Sequence, residues 1–314
     1  MNIDITVKAS HPQFHKDFIF EDGDVVLRSR DAILFRVHKN ILSIASECFR
    51  DMFSFPQPVS QTKTKPEQEP IDLTEDSKVV SFLLSSLYSH VDHPSVNSYA
   101  EIWDIVDAAE KYELPRVKSL FRLLVHSAEN LRSDPISLYV LACRCGWKDV
   151  IRESSAATLN RPFMVADVSH WTTLRRCSME DFFRLVQLHA TRRGLILNAI
   201  QRQSQVSNLL MYMDDGDGFL DCYHCEESTA YCVSEIRRAN NGLEQFQKNV
   251  VMYLESGAAA TEFVRGDREL YDTLIPQVLR DTFCPNCSVP YINAVKIRSE
   301  LERANLPKSV FDLK

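Results

Sequence analysis

Four cysteines carry the clearest chemical pattern in this chain, Cys222-Tyr-His-Cys225 and Cys284-Pro-Asn-Cys287. A C-x-x-C turn lets two thiolates converge on one centre, and two such turns complete a tetrahedral sulfur site of the kind that holds zinc. Both pairs share one spacing among only five cysteines in the last hundred residues, and Pro285 stiffens the second turn. The expectation is one structural Zn2+ on Cys222, Cys225, Cys284 and Cys287. The 58 residues from 226 to 283 must bring the second pair back to the first, which helices over 243–255 and 269–279 would do. His224 and Cys232 stay open as substitutes for one ligand.

Other chemistries fail on the residues. A RING-type ligase domain needs two metals and about eight ligands, against five cysteines and one histidine here. A redox C-x-x-C needs a preceding strand and a helix starting at the motif, whereas Asp214-Asp-Gly-Asp-Gly218 reads as a flexible acidic turn. As a calcium loop counted from Asp215 it puts Phe219 and Leu220 where an oxygen ligand and a glycine belong. No G-x-S-x-G, H-E-x-x-H or phosphate-binding glycine loop occurs, so the chain is read as not an enzyme. Cys143 and Cys145 fall on an apolar helical run and read as core thiols.

The elements that must position these residues begin with residues 24–55. Val25, Val26 and Leu27 open a short alternating run, a polar turn follows, and Ile33, Leu34, Phe35 and Val37 return, which predicts a hairpin. From His38 the period lengthens. Ile41, Leu42 and Ala45, then Cys48, Phe49, Met52 and Phe53, predict two short amphipathic helices, with Ser46 capping the second. Phe14, Phe18 and Phe20 pack a short lead-in. Residues 56–70 are rich in Pro, Gln, Lys and Glu and cannot bury enough surface to offset ordering, which predicts a disordered insertion. Helices follow over 79–88 and 99–112, and another starts at Pro115.

Asp134-Pro135 starts a helix carrying Ile136, Leu138, Leu141 and Cys145 and stopping at Gly146, with a partner over 148–159. Ser178-Met-Glu-Asp181 reads as a capping box before a stripe of Phe182, Phe183, Leu185, Val186 and Leu188. Arg192, Arg193 and Arg202 read as a solvated helix face.

The run Asp24-Val25-Val26-Leu27, then Phe35-Arg36-Val37-His38-Lys39, then Leu42, Ala45, Ser46, Phe49, Met52 and Phe53 resembles the BTB/POZ signature. Residues 71–88 resemble that domain's strand, acidic turn, helix and terminal tyrosine, and residues 106–114 its "A-x-KY" helical segment. Beyond residue 125 the chain is similar to fungal BTB proteins with a C-terminal cysteine-containing region, and the pair of helices after Asp134 resembles the BACK-like extension. The implied fold class is α+β. A BTB/POZ domain, a small sheet flanked by helices, spans 20–125; a helical BACK-like extension spans 126–212; a helical, zinc-stapled region spans 213–314.

The resemblance implies protein–protein contact. Related domains pair with themselves, with cullin scaffolds of ubiquitin ligases or with corepressors. The partner surface falls on Phe49, Met52, Phe53, Phe55 and Tyr112. Where cullin binders carry a hydrophobic-x-Glu motif, this chain reads Phe55-Pro56-Gln57. The usual swapped homodimer uses a long leading helix for which residues 1–20 give no signal. His38 and Asp24 are implied to be structural.

Composition sets the outer limits. A quarter of the residues are charged, and 36 basic against 43 acidic residues leave a net charge of -7. That opposes a nucleic-acid or anionic-membrane binder, which presents a basic face. The polar start and the interrupted apolar runs predict neither a signal peptide nor a membrane span. A cytoplasmic or nuclear setting follows, where cysteines are thiols or metal ligands before disulfides. Three functions are carried: a non-catalytic BTB interaction protein, a cullin adaptor, and a nucleic-acid-binding regulator.

Overall fold

The computed structural model describes residues 13–54, 69–127, 129–160, 170–207, 217–221, 228–255, 264, 268–277 and 294–313. The chain divides into two compact units, residues 1–133 and 134–314.

The first unit is built on four strands, β1 (Gln13–Ile19), β2 (Val25–Arg28), β3 (Ile33–Val37) and β4 (Ile71–Asp72), in the order β1-β3-β2-β4. β2 and β3 form the antiparallel hairpin, with Val25 opposite Val37 and Arg28 opposite Leu34. Ser29 closes the turn by giving its hydroxyl to the Ile33 carbonyl, and Ala32 takes the left-handed conformation there at φ 64°. The expected alternation in β2 is absent: Val25, Val26 and Leu27 are all buried. An inner strand covered on both faces has no solvent side over these three positions, and only its last residue, Arg28, reaches the surface. The lead-in is itself a strand. β1 runs parallel to β3, with a register irregularity between Phe14 and Ile19. Phe18 is fully buried against Phe35 and Tyr88.

Among the described residues six helices complete this unit: α1 (Lys39–Ala45), α2 (Glu47–Ser54), α3 (Ser77–Ser85), α4 (Tyr99–Lys111), α5 (Pro115–Ser127) and α6 (Glu129–Arg132). Asp24 accepts the Lys39 N–H at 2.7 Å, satisfying a donor of the first turn of α1 from a distant strand. The Tyr88 hydroxyl meets both the backbone N–H and Nδ1 of His38 at 3.0 Å. Both residues thus join strand to helix. The insertion expected at 56–70 lies almost wholly outside the described residues.

The second unit contains α7 (Pro135–Cys145), α8 (Lys148–Thr158), α9 (Trp171–Leu174), α10 (Met179–Ser207), the antiparallel strands β5 (Asp217–Asp221) and β6 (Ser228–Cys232), then α11 (Val233–Glu255), α12 (Arg268–Leu274) and α13 (Ala294–Arg303). α7 starts where Asp134 accepts the Ser137 N–H and ends at Gly146, whose φ of 73° is the left-handed stop that glycine adopts without strain. Its residues 135–142 are all buried, so α7 is an interior helix. Cys143 and Cys145, expected in the core, are only half-buried.

Ser178 caps α10, accepting the Asp181 N–H at 3.0 Å. At 29 residues, or about 43 Å of helix, α10 reaches from this cap into a second core. There Ile196, Ala199 and Ile200 pack with Phe246, Val250, Leu274, Ile275 and Leu301. Residues expected to form two separate segments, on either side of 212, therefore share one core. Leu185 and Leu188 are fully buried as expected, whereas Phe183 is 64% exposed. One residue is about 100° of helix, enough to turn Phe183 off the buried stripe.

Arg192 also departs from expectation. It is 7% exposed, and its Nη1 donates to the Pro307 carbonyl at 2.9 Å. Burial lowers its pKa. Besides this tie to the final segment, Val310 is buried and the Ser309–Asp312 capping box orders the turn around it.

The hairpin β5–β6 replaces the acidic turn expected at 214–218 over its described part, Asp217 and Gly218. Cross-strand pairing is a non-local choice that this polar run gives no hint of.

Candidate functional site

α1 and α2 meet at a corner fixed by Ser46. Its hydroxyl accepts the Phe49 N–H at 3.0 Å, capping α2, and donates to the Tyr112 carbonyl at 2.5 Å. Phe49 then stacks on the Tyr112 ring, 5.1 Å between centroids and 9° from parallel. Both rings are buried. α2 is therefore clamped to the end of α4.

Tyr112 is held in turn from its other end. Its hydroxyl donates to Glu75 at 2.5 Å, and Lys111 reaches the same carboxylate at 2.9 Å. Burial, then the hydrogen bond it donates to Glu75, pushes the Tyr112 pKa up to about 12. Burial alone would raise Glu75, yet hydrogen bonds from Tyr112, Lys111 and Thr74 outweigh it and hold the carboxyl below its usual range.

This clamp leaves a cavity of about 550 Å³ between the α1–α2 corner and the α4–α5 turn. Ile44, Ala45 and Arg50 line one wall; Ala109, Leu114 and Lys118 line the other. Glu113, also in the lining, takes φ 52°, which lets the chain reverse between α4 and α5. Ile44 is 77% exposed. Around it sit charges of both signs, with Glu47 paired to Arg50 and Glu110 to Lys118, each at 3.0 Å. A mixed lining of small apolar and charged side chains, with an exposed aliphatic at its edge and charges of both signs, suits a protein segment better than a single-sign ligand.

The residues expected to form the partner surface fall into three groups. Phe49 and Tyr112 are inside and support the groove, because stacking on each other removes both from the surface. Met52 and Phe53 are half-buried on α2. Phe55 lies outside the described residues. Sequence reasoning passed over Ile44 although its signal was present: on α1 it sits off the stripe of Ile41, Leu42 and Ala45, so burying that stripe turns it outward.

The four proposed zinc ligands, Cys222, Cys225, Cys284 and Cys287, and His224 lie outside the described residues. Cys232 ends β6. Arg192, read with Arg193 and Arg202 as a solvated face, is buried instead and cannot meet a phosphate there. Among the described residues no helix is long and apolar enough to cross a membrane.

The strand order, the hairpin leading into paired helices and the Tyr88–His38 link together define the first unit. Residues 14–126 match the BTB/POZ domain. No curated protein matches the chain. The BTB/POZ domain is in general a non-catalytic protein–protein interaction module, and the groove lies on that domain, opened by the same helices whose sequence carries the resemblance.

Proposed function

We propose that the chain is a non-catalytic interaction protein whose BTB/POZ domain docks a protein segment in the groove between the α1–α2 corner and the α4–α5 turn. The observation that carries this reading is Ile44, 77% exposed beside a cavity of about 550 Å³. An apolar anchor surrounded by charges of both signs is the pattern of a small interface centre with a polar rim. Affinity capture and mass spectrometry with the wild-type chain and Ile44→Asp tests it. Partners shared by repeat preparations should be lost from the variant while its melting curve stays unchanged. Retention of every partner by the variant would remove the groove from the reading.

In this proposal one structural zinc on Cys222, Cys225, Cys284 and Cys287 fixes the C-terminal part. Pairing of Asp221 with Ser228 supports it, since partners on adjacent strands lie about 5 Å apart. The strand residues that flank the first cysteine pair, Asp221 and Ser228, are thus held close together. Zinc analysis of reduced protein, with Cys284→Ser beside it, tests the site. Equal metal in both chains would reject it.

A cullin adaptor is the second reading. The resemblance assigns cullin binding to the helices that flank this groove, although Phe55-Pro56-Gln57 lacks the glutamate. Co-purification with a cullin, abolished by Phe55→Asp, is the expected result; no binding at micromolar concentration would count against it.

A further inference from the structure

The last turn of α7, the residue before the α10 cap and the first turn of α10 bring together three metal-ligating side chains, Cys143 with Cys177 and Asp181. Donor atoms of Cys143, Cys177 and Asp181 all lie within 4.8 Å of one another, and all three residues are half-buried. A tetrahedral zinc with bonds of about 2.3 Å to sulfur and 2.0 Å to oxygen needs donors roughly 3.5–3.8 Å apart. Small side-chain adjustments reach that geometry. We propose that Cys143, Cys177 and Asp181 bind one zinc ion, at a site separate from the two C-x-x-C pairs.

The neighbourhood is built to hold these donors. Cys177 directly precedes the Ser178 cap, so its position is set where α10 begins. Ser178 gives its hydroxyl to Asp181 Oδ2 at 2.6 Å, leaving Oδ1 for the metal and orienting the carboxylate as an outer-shell partner does. Tyr139, fully buried on α7, donates to the Asp181 carbonyl at 2.8 Å and pins the start of α10 to α7. Ser137 meets Thr173 of α9 at 3.5 Å, which brings the segment carrying Cys177 over the same helix.

Two sulfurs and one carboxylate select zinc over magnesium or calcium, which prefer oxygen alone. Binding is chelation: two thiols lose their protons to solvent, the carboxylate supplies the third donor, and a water completes the fourth position. Partial exposure gives the ion an entry path. A disulfide between the sulfurs would leave Asp181 with no part in the cluster, and a structural thiol pair would take up no metal.

The experiment counts zinc in the reduced full-length wild type, Cys177→Ser, Asp181→Asn and Cys284→Ser after removal of loose metal. Cys177→Ser should lose one zinc per chain, and Asp181→Asn should bind that zinc at least about tenfold more weakly. Cys284→Ser should keep it, whatever happens at the C-x-x-C pairs, so the two zinc readings can fail independently. Circular dichroism checks that each variant is folded. If Cys177→Ser misfolds, cobalt is added to folded Cys284→Ser and to Cys284→Ser/Asp181→Asn. A weaker thiolate-to-cobalt charge-transfer band in the double variant supports the site. Equal zinc in wild type and Cys177→Ser, identical cobalt spectra, or a Cys143–Cys177 disulfide in protein kept reduced with zinc present would overturn it.

Discussion

The two units of this chain treat their polar groups in opposite ways. In the first, charged side chains reach across the surface between segments far apart in sequence: Arg28 to Asp72, Arg30 to Asp76, and Lys78 to Glu101. In the second, several polar groups turn inward. Arg192 is buried on a backbone carbonyl, and His189 meets Thr158 at 3.0 Å within the helical packing. Exposed pairs are screened and cost little to lose, whereas buried groups resist any change of charge. The first unit should thus tolerate loss of its surface links and fail at its aromatic clamp. The second should fail on protonation.

The largest effect is expected at the clamp. Phe49→Ala empties a buried site against Tyr112 and should cost about 3–5 kcal/mol, which hydrogen exchange would register as early opening of residues 13–127 with the second unit still protected. Equal loosening of both units would break the contrast.

The next prediction concerns pH. Burial, with the Arg192 charge beside it, lowers the His189 pKa from 6.5 to about 4. The folded state therefore holds this proton less tightly than the unfolded chain. Stability from the neutral ring is complete above pH 6.5 and declines as the pH falls toward 4. Hydrogen exchange at about pH 7 and pH 5, corrected for intrinsic rates, should show the greater loss of protection over residues 134–313. His189→Gln should flatten that dependence. The first unit should change less over this interval: burial lowers the His15 pKa there too, but less than at His189, and Glu75 is lowered so that its contribution survives to still more acid conditions.

Ser46→Ala removes the cap of α2 and the donor to Tyr112, for about 1–2 kcal/mol by urea unfolding. Smallest of all, Asp72→Asn breaks a bidentate but exposed pair with Arg28 and should shift the urea midpoint least of these variants. Its cost should shrink in high salt. A larger, salt-independent loss would mean that the surface links carry more of the first unit than exposure implies.

Local chemistry made much of this architecture readable. Ser46, Asp134, Gly146 and Ser178 act within a few residues of themselves, so their cap signals survive without tertiary context. The β2–β3 hairpin was legible for the same reason. What escaped depends on partners far along the chain. β1 is a strand because β3 lies beside it, and Asp217 pairs because Cys232 is opposite. Arg192 is buried because the segment at Pro307 returns to cover it. Cys143 and Cys177 stand 34 positions apart, a spacing that no motif links, and only the packing of α7 against the start of α10 makes them neighbours. At the groove, the sequence pointed to aromatics that the structure turns inward, Phe49 and Tyr112. Aromatic size marks a contact, but it does not say on which side of the helix the contact lies.

β1 gives this unit a guarded border. It is the outer strand of its sheet, and an outer strand offers unpaired backbone groups to any extended chain that drifts alongside. The irregularity between Phe14 and Ile19 interrupts the even spacing such a chain would need, and Lys16 and Asp17 present exposed charges within that interval. Bulges and charges are the devices that keep β-proteins from templating fibrils. The same departure from regular pairing that hid β1 in the sequence thus helps a sheet protein remain dispersed when crowded with copies of itself.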